Sequence, residues 1–310
     1  MSRAFPYVVG SPRSGTTLLR LMLNAHPELA IPPEAPFVVS APAWVRDGER
    51  TVDAGRAANY FLSREWFPVW SIERDELAEA MRLGASITWA EAVRRVFGVY
   101  ARTCGKALAG AKTPLHVLEI GPLSKLLEEA RFVHVVRDGR NVALSMREAP
   151  FGPRDLGTAA RHWRDHVQRG HGAGRRLGKR RYLEVRYEAL VDGPERELRR
   201  VCSFLGFDFD PRMLRAHEQA DTVLMPTALS DWHRNLSRPP TPGLRDWHSA
   251  PTADIQRIER IEGPTLRRFG YPVASVPLRE AIVRRKHDVA VRVLHAMPSR
   301  VQGALAGSGT

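Results

Sequence analysis

An α/β fold is the class that the sequence predicts, and three stretches predict it. Residues 5–34 read FPYVVGSPRSGTTLLRLMLNAHPELAIPPE. The apolar run from Phe5 to Val9 is short enough for a buried strand. A loop from Gly10 to Thr17 follows, then helical spacing through Leu18, Leu19, Leu21, Met22 and Leu23, closed by His26-Pro27. RFVHVV, Arg131 to Val136, reads as a second strand with its own loop and helix, and YLEVRY, Tyr182 to Tyr187, as a third. Strands alternating with helices in this way indicate α/β architecture. At 310 residues the chain can form one sizeable domain with its own core, and two small domains also fit.

The first loop has the makings of an anion site. A strand, a Gly-bearing loop and a helix N-terminus aim successive N–H groups and the positive end of the helix dipole at one point. Gly10 and Gly15 have the spacing of the nucleotide-binding P-loop, and Thr17 fills its last position. Thr16 stands where that motif requires Lys, and the cation comes earlier, at Arg13. Ordinary ATP or GTP hydrolysis is therefore disfavoured. A 5′-phosphate carrying a different group fits better.

Residues 33–75 resist assignment. Pro32, Pro33, Pro36 and Pro42 break regular structure, and Trp44, Trp66 and Trp70 punctuate the stretch. Short helices that cover the site and touch an acceptor, or an excursion packed by its tryptophans, fit equally. Helical spacing returns over 75–83 and 88–103. In the second, Trp89, Ala92, Val93, Val96, Phe97 and Tyr100 form an apolar stripe with Arg94, Arg95 and Arg102 off it. Ala107 to Lys112 reads as a short strand, followed by a helix from Pro114 to about Glu129. Lys112 is one of only five lysines and stands at the carboxyl end of that strand, where open α/β sheets bind ligands.

Behind RFVHVV, the loop Arg137-Asp138-Gly139-Arg140-Asn141 and a helix through Val142, Ala143, Leu144 and Met146 make a second anion site. Arg137 can offer a two-pronged guanidinium and Ser145 a hydroxyl. Two phosphate sites on one sheet imply a ligand with two separated phosphates. Further on, a helix is expected from Asp155 to Leu177, with Arg161, Arg164, Arg169, Arg175 and Arg176 as a solvated basic face. Another runs from Pro194 to Leu205 and ends at Gly206. Residues 217–250, with Pro226, Pro239, Pro240, Pro242 and Gly243, read as a long irregular loop. The last core helix, 251–270, presents Ile255, Ile258, Ile261 and Leu266 and is expected to be interrupted at Gly263-Pro264. Residues 278–296 form a basic amphipathic helix suited to packing or self-association.

GSPRSGTTLLRLMLNAHP resembles the 5′-phosphosulfate loop of sulfotransferases that use 3′-phosphoadenosine 5′-phosphosulfate (PAPS), closest to the branch of tyrosylprotein and many bacterial enzymes. FVHVVRDGRNVALSM resembles the 3′-phosphate motif of the same family. The resemblance spans about residues 5–271 and implies a P-loop-type three-layer fold, a single domain with a central parallel sheet flanked by helices. On this view 1–271 is the domain, with 35–75 and 217–250 covering acceptor and cofactor, and 272–310 is an extension. The implied reaction is in-line transfer of the sulfuryl group to an acceptor hydroxyl or amine, releasing 3′,5′-bisphosphoadenosine (PAP). The resemblance puts Arg13, Ser14, Gly15, Thr16 and Thr17 at the 5′ end, Arg137 and Ser145 on the 3′-phosphate, and Tyr187 near the adenine. It also puts Arg245 of GLRDW in a loop over the cofactor. Arg13 and Lys112 become the cations at the sulfuryl group and the bridging oxygen. Cytosolic members carry Lys-Thr-His with the His as base, but Pro114 occupies that position here. Tyrosylprotein members use a Glu soon after the first helix, which Glu34 matches, with His116 in reserve. No metal is required.

Composition narrows the rest. The net charge of +13 favours anionic ligands without choosing among them. No zinc-finger, RNA-recognition or basic-zipper pattern accompanies it, so nucleic acid is not the expected partner. Cys104 and Cys202 are too few for a disulfide framework and fit a reducing cytosol. Residues 1–4 do not open a signal peptide, and no stretch approaches the ~20 apolar residues of a membrane span. The acceptor remains open among small molecules, carbohydrates, lipids and peptides. The competing readings are a P-loop kinase-like phosphotransferase, which lacks its Lys, and a non-catalytic binder of anionic polymers, which would bind with a steep salt dependence.

Overall fold

The computed structural model describes residues 4–39, 41–42, 45, 52–65, 67–82, 87–219, 234–241, 243 and 246–273. Arg245, Trp44, Trp66, the helix expected over 278–296 and much of 217–250 lie outside them.

In chain order the elements are β1 (Phe5–Gly10), α1 (Thr16–Asn24), β2 (Leu29–Ala30), α2 (Ala54–Leu62), α3 (Arg74–Arg82), α4 (Trp89–Thr103), β3 (Leu108–Ala109) and β4 (Ala111–Lys112). Then come α5 (Ile120–Leu126), β5 (Ala130–Val136), α6 (Gly139–Glu148), α7 (Leu156–Leu177), β6 (Tyr182–Arg186), α8 (Tyr187–Asp192), α9 (Pro194–Leu205) and α10 (Thr252–Arg268). The main sheet has the order β4-β1-β5-β6 and is parallel throughout. Tyr7 stands between Ala111 on one side and Phe132 on the other.

Alternation along the strands sends neighbouring side chains to opposite faces. Val8, Val133 and Val135 pack with Leu19 and Met22 of α1 and Leu198 and Val201 of α9. On the other face Phe5, Tyr7 and Phe132 meet Val93 and Phe97 of α4, and Val136 meets α6, α7 and α10 through Val142, Trp163 and Ile258. Helices on both faces of a parallel sheet make the three layers. Both faces are buried, which is why the strands read as nearly continuous apolar runs. No described helix is long and apolar enough to cross a membrane.

Region 33–75 is packed by its aromatics where it is described. Phe37 lies 5.7 Å from Trp70 and 6.0 Å from Phe97 between ring centroids, and Phe61 stacks on Trp89 at 5.4 Å. Arg94 and Arg95, off the α4 stripe, are still engaged. Arg94 grips Glu129 at 2.6 and 2.8 Å, and Arg95 donates to the last-turn carbonyls of α3, Ala80 and Met81.

Four expectations change. The strand expected up to Lys112 is two strands in two sheets: β3 pairs with β2, and β4 pairs with β1. Gly110 is the crossing point, because a Cβ there would lie 2.8 Å from the Pro6 carbonyl oxygen. The helix expected from Pro114 opens as a 3-10 turn, Pro114–Leu118, before α5. The strand expected up to Tyr187 stops at Arg186, and Tyr187 is the first residue of α8. Finally, α10 runs through Pro264 without interruption. Pro264 and Arg260, whose carbonyl loses its helical partner, both lie on the solvent side, so water can satisfy that oxygen while Ile258 and Leu266 hold the buried side.

That buried side also contains Glu262. Its carboxyl lies against Gly139 and the Trp163 ring, and neither oxygen has a hydrogen-bond partner among the described residues. Burial, with Asp138 nearby, pushes this carboxyl well above the usual carboxylate range, while Arg140 and Arg164 oppose the shift. A raised folded-state pKa means that the folded protein holds a proton the unfolded chain releases. Stability is therefore lost as pH rises above the ordinary carboxyl value. Glu262→Gln is expected to raise the melting midpoint at pH 8 by about 3–6 °C, with the gain vanishing near pH 4. Thermal scans across pH check this, and an equal effect at both ends would remove the protonation account.

Candidate active site

The first loop closes β1 onto α1 with little room. A Cβ on Gly10 would come 2.6 Å from the Val135 carbonyl oxygen, so this glycine lets β5 approach. Ser14 closes the turn on the Ser11 carbonyl with both its hydroxyl and its N–H. Gly15, at φ +97°, is the N-cap of α1. The N–H groups of Gly15, Thr16 and Thr17 therefore sit at the open first turn. Arg13 is itself left-handed, at φ +71°.

This turn throws the Arg13 side chain across to the second loop. Its Nε donates to Ser145 Oγ at 3.0 Å, and Arg137 donates back to the Arg13 carbonyl at 3.4 Å. The Arg137 guanidinium lies 4.3 Å from the centroid of the Tyr187 ring, and that ring fills the space beside Gly15. Arg13, Gly15, Arg137, Ser145 and Tyr187 thus converge across the carboxyl ends of β1, β5 and β6. Their backbone supports were not singled out in the sequence. Trp163 Nε1 holds the Arg137 carbonyl at 3.0 Å, Glu188 accepts from Asp138 N at 2.9 Å, and Tyr271 steadies Glu188 at 2.9 Å. Asp138 caps α6 and grips Arg140, which also pairs with Glu259 at 2.6 Å and lies 3.6 Å from the Trp247 ring centroid. On the first loop, Ser11 Oγ meets His166 Nδ1 at 3.1 Å.

The other half of the site lies at the end of β4. Lys112 Nζ is 2.8 Å from Glu34 Oε1, with side chains 5% and 54% exposed respectively. Thr113, the next residue, donates its N–H to the Val8 carbonyl, tying this end of β4 to β1. Parallel pairing therefore puts Lys112 and the Arg13 loop on the same edge of the sheet.

Residues 7–211 match the model of the sulfotransferase family. The chain belongs to that family. It is 27% identical to protein-tyrosine sulfotransferase A of Caenorhabditis elegans over 92% of this chain and 73% of that protein. To protein-tyrosine sulfotransferase 2 of Gallus gallus it is 26% identical over 87% and 70%. The sulfotransferase domain from the Synechococcus PCC 7002 olefin synthase shares the fold, with a TM-score of 0.57 at 24% identity, over 87% of this chain and 95% of that one. This sulfotransferase is thus an enzyme of PAPS-dependent sulfuryl transfer.

The donor set suits such a ligand. Two guanidiniums, a buried ammonium, hydroxyls and a helix N-terminus are all groups that bind phosphate and sulfate oxygens. Gly10 and Gly15 keep side chains out of the cradle, one against the Val135 carbonyl and one against Tyr187. In the sulfotransferase, burial pushes the Lys112 ammonium below its usual range, Glu34 works against that shift and Arg20 adds to it. Arg20 is itself buried, donates to the Ile31 carbonyl at 3.0 Å, and is coupled electrostatically to Tyr100 and Glu34. Its position inside an apolar helix was the one available signal of that role.

The candidate residues therefore fall into two groups that share one edge of the sheet: Arg13, Ser14, Gly15, Thr16, Thr17, Arg137, Ser145 and Tyr187, and Lys112 with Glu34. His116, the reserve base, is buried. Its Nδ1 faces the Tyr7 hydroxyl at 2.6 Å. Burial lowers its pKa to about 4.

Proposed function

We propose that this sulfotransferase sulfates the phenolic hydroxyl of tyrosine in a peptide or protein, with Glu34 as general base and without a metal. The observation that carries the base assignment is the Lys112–Glu34 pair. The ammonium is held inside the fold, on the same sheet edge as the Arg13 loop, while half of the carboxylate surface is offered to solvent, where an acceptor arrives. The tyrosine acceptor is supported by the relatives named protein-tyrosine sulfotransferases, and the net charge of +13 suits a peptide rich in carboxylates.

Bound PAPS would supply the sulfuryl group, with the electron pair of the S–O bond that breaks leaving on the 3′,5′-bisphosphoadenosine product. Glu34 takes the proton of the acceptor hydroxyl as that oxygen bonds to sulfur. Arg13 and Lys112 stabilise negative charge on the sulfuryl and bridging oxygens, the electrostatic role that dominates transfers of this kind. The N–H groups of Gly15 to Thr17 hold the 5′-phosphate, and Arg137 and Ser145 the 3′-phosphate. Two cations in place provide the charge a metal would otherwise bring. Cys104 and Cys202 are both free, which supports a cytosolic site of action.

The test is incubation with PAPS and, separately, an acidic tyrosine peptide, p-nitrophenol and a simple sugar, followed by mass spectrometry. Sulfation of the peptide in preference to the other two is expected. Preference for the sugar would overturn the acceptor assignment. Glu34→Gln is expected to cut turnover about 10²-fold or more while PAP affinity stays within about twofold. Wild-type turnover in that variant would move the base elsewhere.

A further inference from the structure

The two residues assigned to the 3′-phosphate hang from different elements. Arg137 follows the last residue of β5, and Ser145 lies inside α6. Only Arg137 and Asp138 separate the strand from the helix, so the peptide that joins them sets one ligand against the other. Strand pairing ends just before it, with Val136 opposite Arg186, and α6 begins just after it. Both of its polar groups are held by side chains instead. The Arg137 carbonyl accepts from Trp163 Nε1 at 3.0 Å, and the Asp138 N–H donates to Glu188 Oε1 at 2.9 Å. A trans peptide directs its C=O and N–H to opposite sides, so the plane cannot turn without breaking one of these bonds. Parallel register explains why Glu188 is there. Val136 faces Arg186, so residues 187 and 188 continue alongside 137 and 138. Tyr187 takes the side chain, with its ring centroid 4.3 Å from the Arg137 guanidinium, and Glu188 takes the backbone. The other Glu188 oxygen accepts from the Tyr271 hydroxyl at 2.9 Å. Tyr271 lies past the end of α10, buried, with the Arg186 guanidinium 4.3 Å from its ring centroid. The next residue reaches the same loop, because the Pro272 carbonyl accepts from Arg140 at 2.8 Å.

We propose that Glu188 is a positioning residue for recognition of the 3′-phosphate, fixing the Arg137–Asp138 peptide opposite Trp163, with Tyr271 setting its carboxylate. This rests on the assignment of the 3′-phosphate to Arg137 and Ser145. Glu188 is no ligand itself. A carboxylate repels phosphate, and both of its oxygens are engaged inside the protein. Its contribution is preorganisation: ligating groups held in place before the nucleotide arrives lose little freedom when it binds. The 5′-phosphate is assigned to the N–H groups of Gly15 to Thr17, which this peptide does not carry. Loss of Glu188 therefore separates nucleotides that have a 3′-phosphate from those that lack one. The chain just after α10 thereby takes part in choosing the nucleotide.

The experiment is calorimetric titration of the full chain with PAP and with adenosine 5′-phosphate, alongside hydrogen exchange over residues 136–142. The proteins are wild type, Glu188→Ala, Glu188→Gln, Tyr271→Phe, Arg137→Ala and the double variant of Glu188→Ala with Arg137→Ala. Glu188→Ala is expected to weaken PAP about 5–30-fold, to leave adenosine 5′-phosphate within about twofold, and to speed exchange at Asp138. Tyr271→Phe should act in the same direction by about 2–5-fold. Glutamine keeps an oxygen for the Asp138 N–H and offers its amide to the Tyr271 oxygen, so Glu188→Gln retains most of the wild-type preference for PAP. Once Arg137 is gone, Glu188→Ala should cost PAP less than about twofold. An unchanged preference in Glu188→Ala, equal weakening of both nucleotides, or an undiminished loss in the Arg137→Ala background overturns the proposal. If Arg137→Ala itself leaves the preference intact, the phosphate assignment has failed and takes the proposal with it. If Arg137→Ala abolishes the preference and Glu188→Ala does not touch it, the assignment stands and the proposal alone falls. Should Glu188→Ala fail to fold, Tyr271→Phe decides, and an unchanged preference in that variant overturns the clamp.

Discussion

Lys112→Met is expected to lower kcat by about 10²–10³-fold while PAP binds within about twofold of wild type. Met keeps the length and most of the volume of the buried Lys112 side chain, so the end of β4 stays packed. Glu34 loses its partner but is half exposed, and water can replace it. What disappears is positive charge where the transition state gathers negative charge. Single-turnover kinetics with pre-bound PAPS measure this directly. Equal loss of PAP affinity would instead make Lys112 a ground-state ligand. The pH profile adds a sign. Burial lowers the Lys112 pKa, so the alkaline limb of kcat/KM falls below the usual lysine range. Lys112→Arg, which cannot deprotonate in that range, should retain its residual activity to higher pH.

Arg137→Ala is expected to weaken PAP by about 10–100-fold, the cost of losing hydrogen bonds from a charged donor to a phosphate. Adenosine 5′-phosphate, which lacks the 3′-phosphate, should bind wild type and variant alike. Arg13→Ala should weaken both ligands, because it faces the 5′ end. The two profiles together locate each phosphate. A variant at Arg137 that weakened both ligands equally would point to collapse of the Tyr187 ring, which the guanidinium covers, rather than to a lost phosphate contact.

The parts of the site legible in the sequence are those built from short local runs. β1 with its loop and α1, and β5 with its loop and α6, each carry strand, turn and helix within about 20 residues, so spacing alone orders Arg13 to Thr17 and Arg137 to Ser145. What joins them is long-range. Arg13 reaches Ser145 across 132 residues, Trp163 braces Arg137 from α7, and Glu259 braces Arg140 from α10. No periodicity records such contacts. The single strand read before Lys112 failed for a related reason. Gly110 looks like an ordinary small residue in the sequence, and only the proximity of Pro6 shows why the chain changes sheets there. Pro264 misled in the other direction, since local preference predicts a break and packing of the opposite side of the helix holds it together. Residues 33–75 offered two readings, and where the stretch is described its aromatics build core around α4, as the reading of an excursion packed by its aromatic rings has it.

Arg13 occupies a backbone conformation that L-residues other than asparagine and aspartate rarely adopt, and it does so at the turn that sends its guanidinium to Ser145. Such a conformation costs on the order of 1 kcal/mol, which glycine would not incur. Heat resistance and catalysis therefore pull this codon in opposite directions. A randomised population screened only for survival at high temperature should accumulate Arg13→Gly and lose sulfuryl transfer in the same step, whereas one screened for product should keep the strained arginine and seek its stability elsewhere.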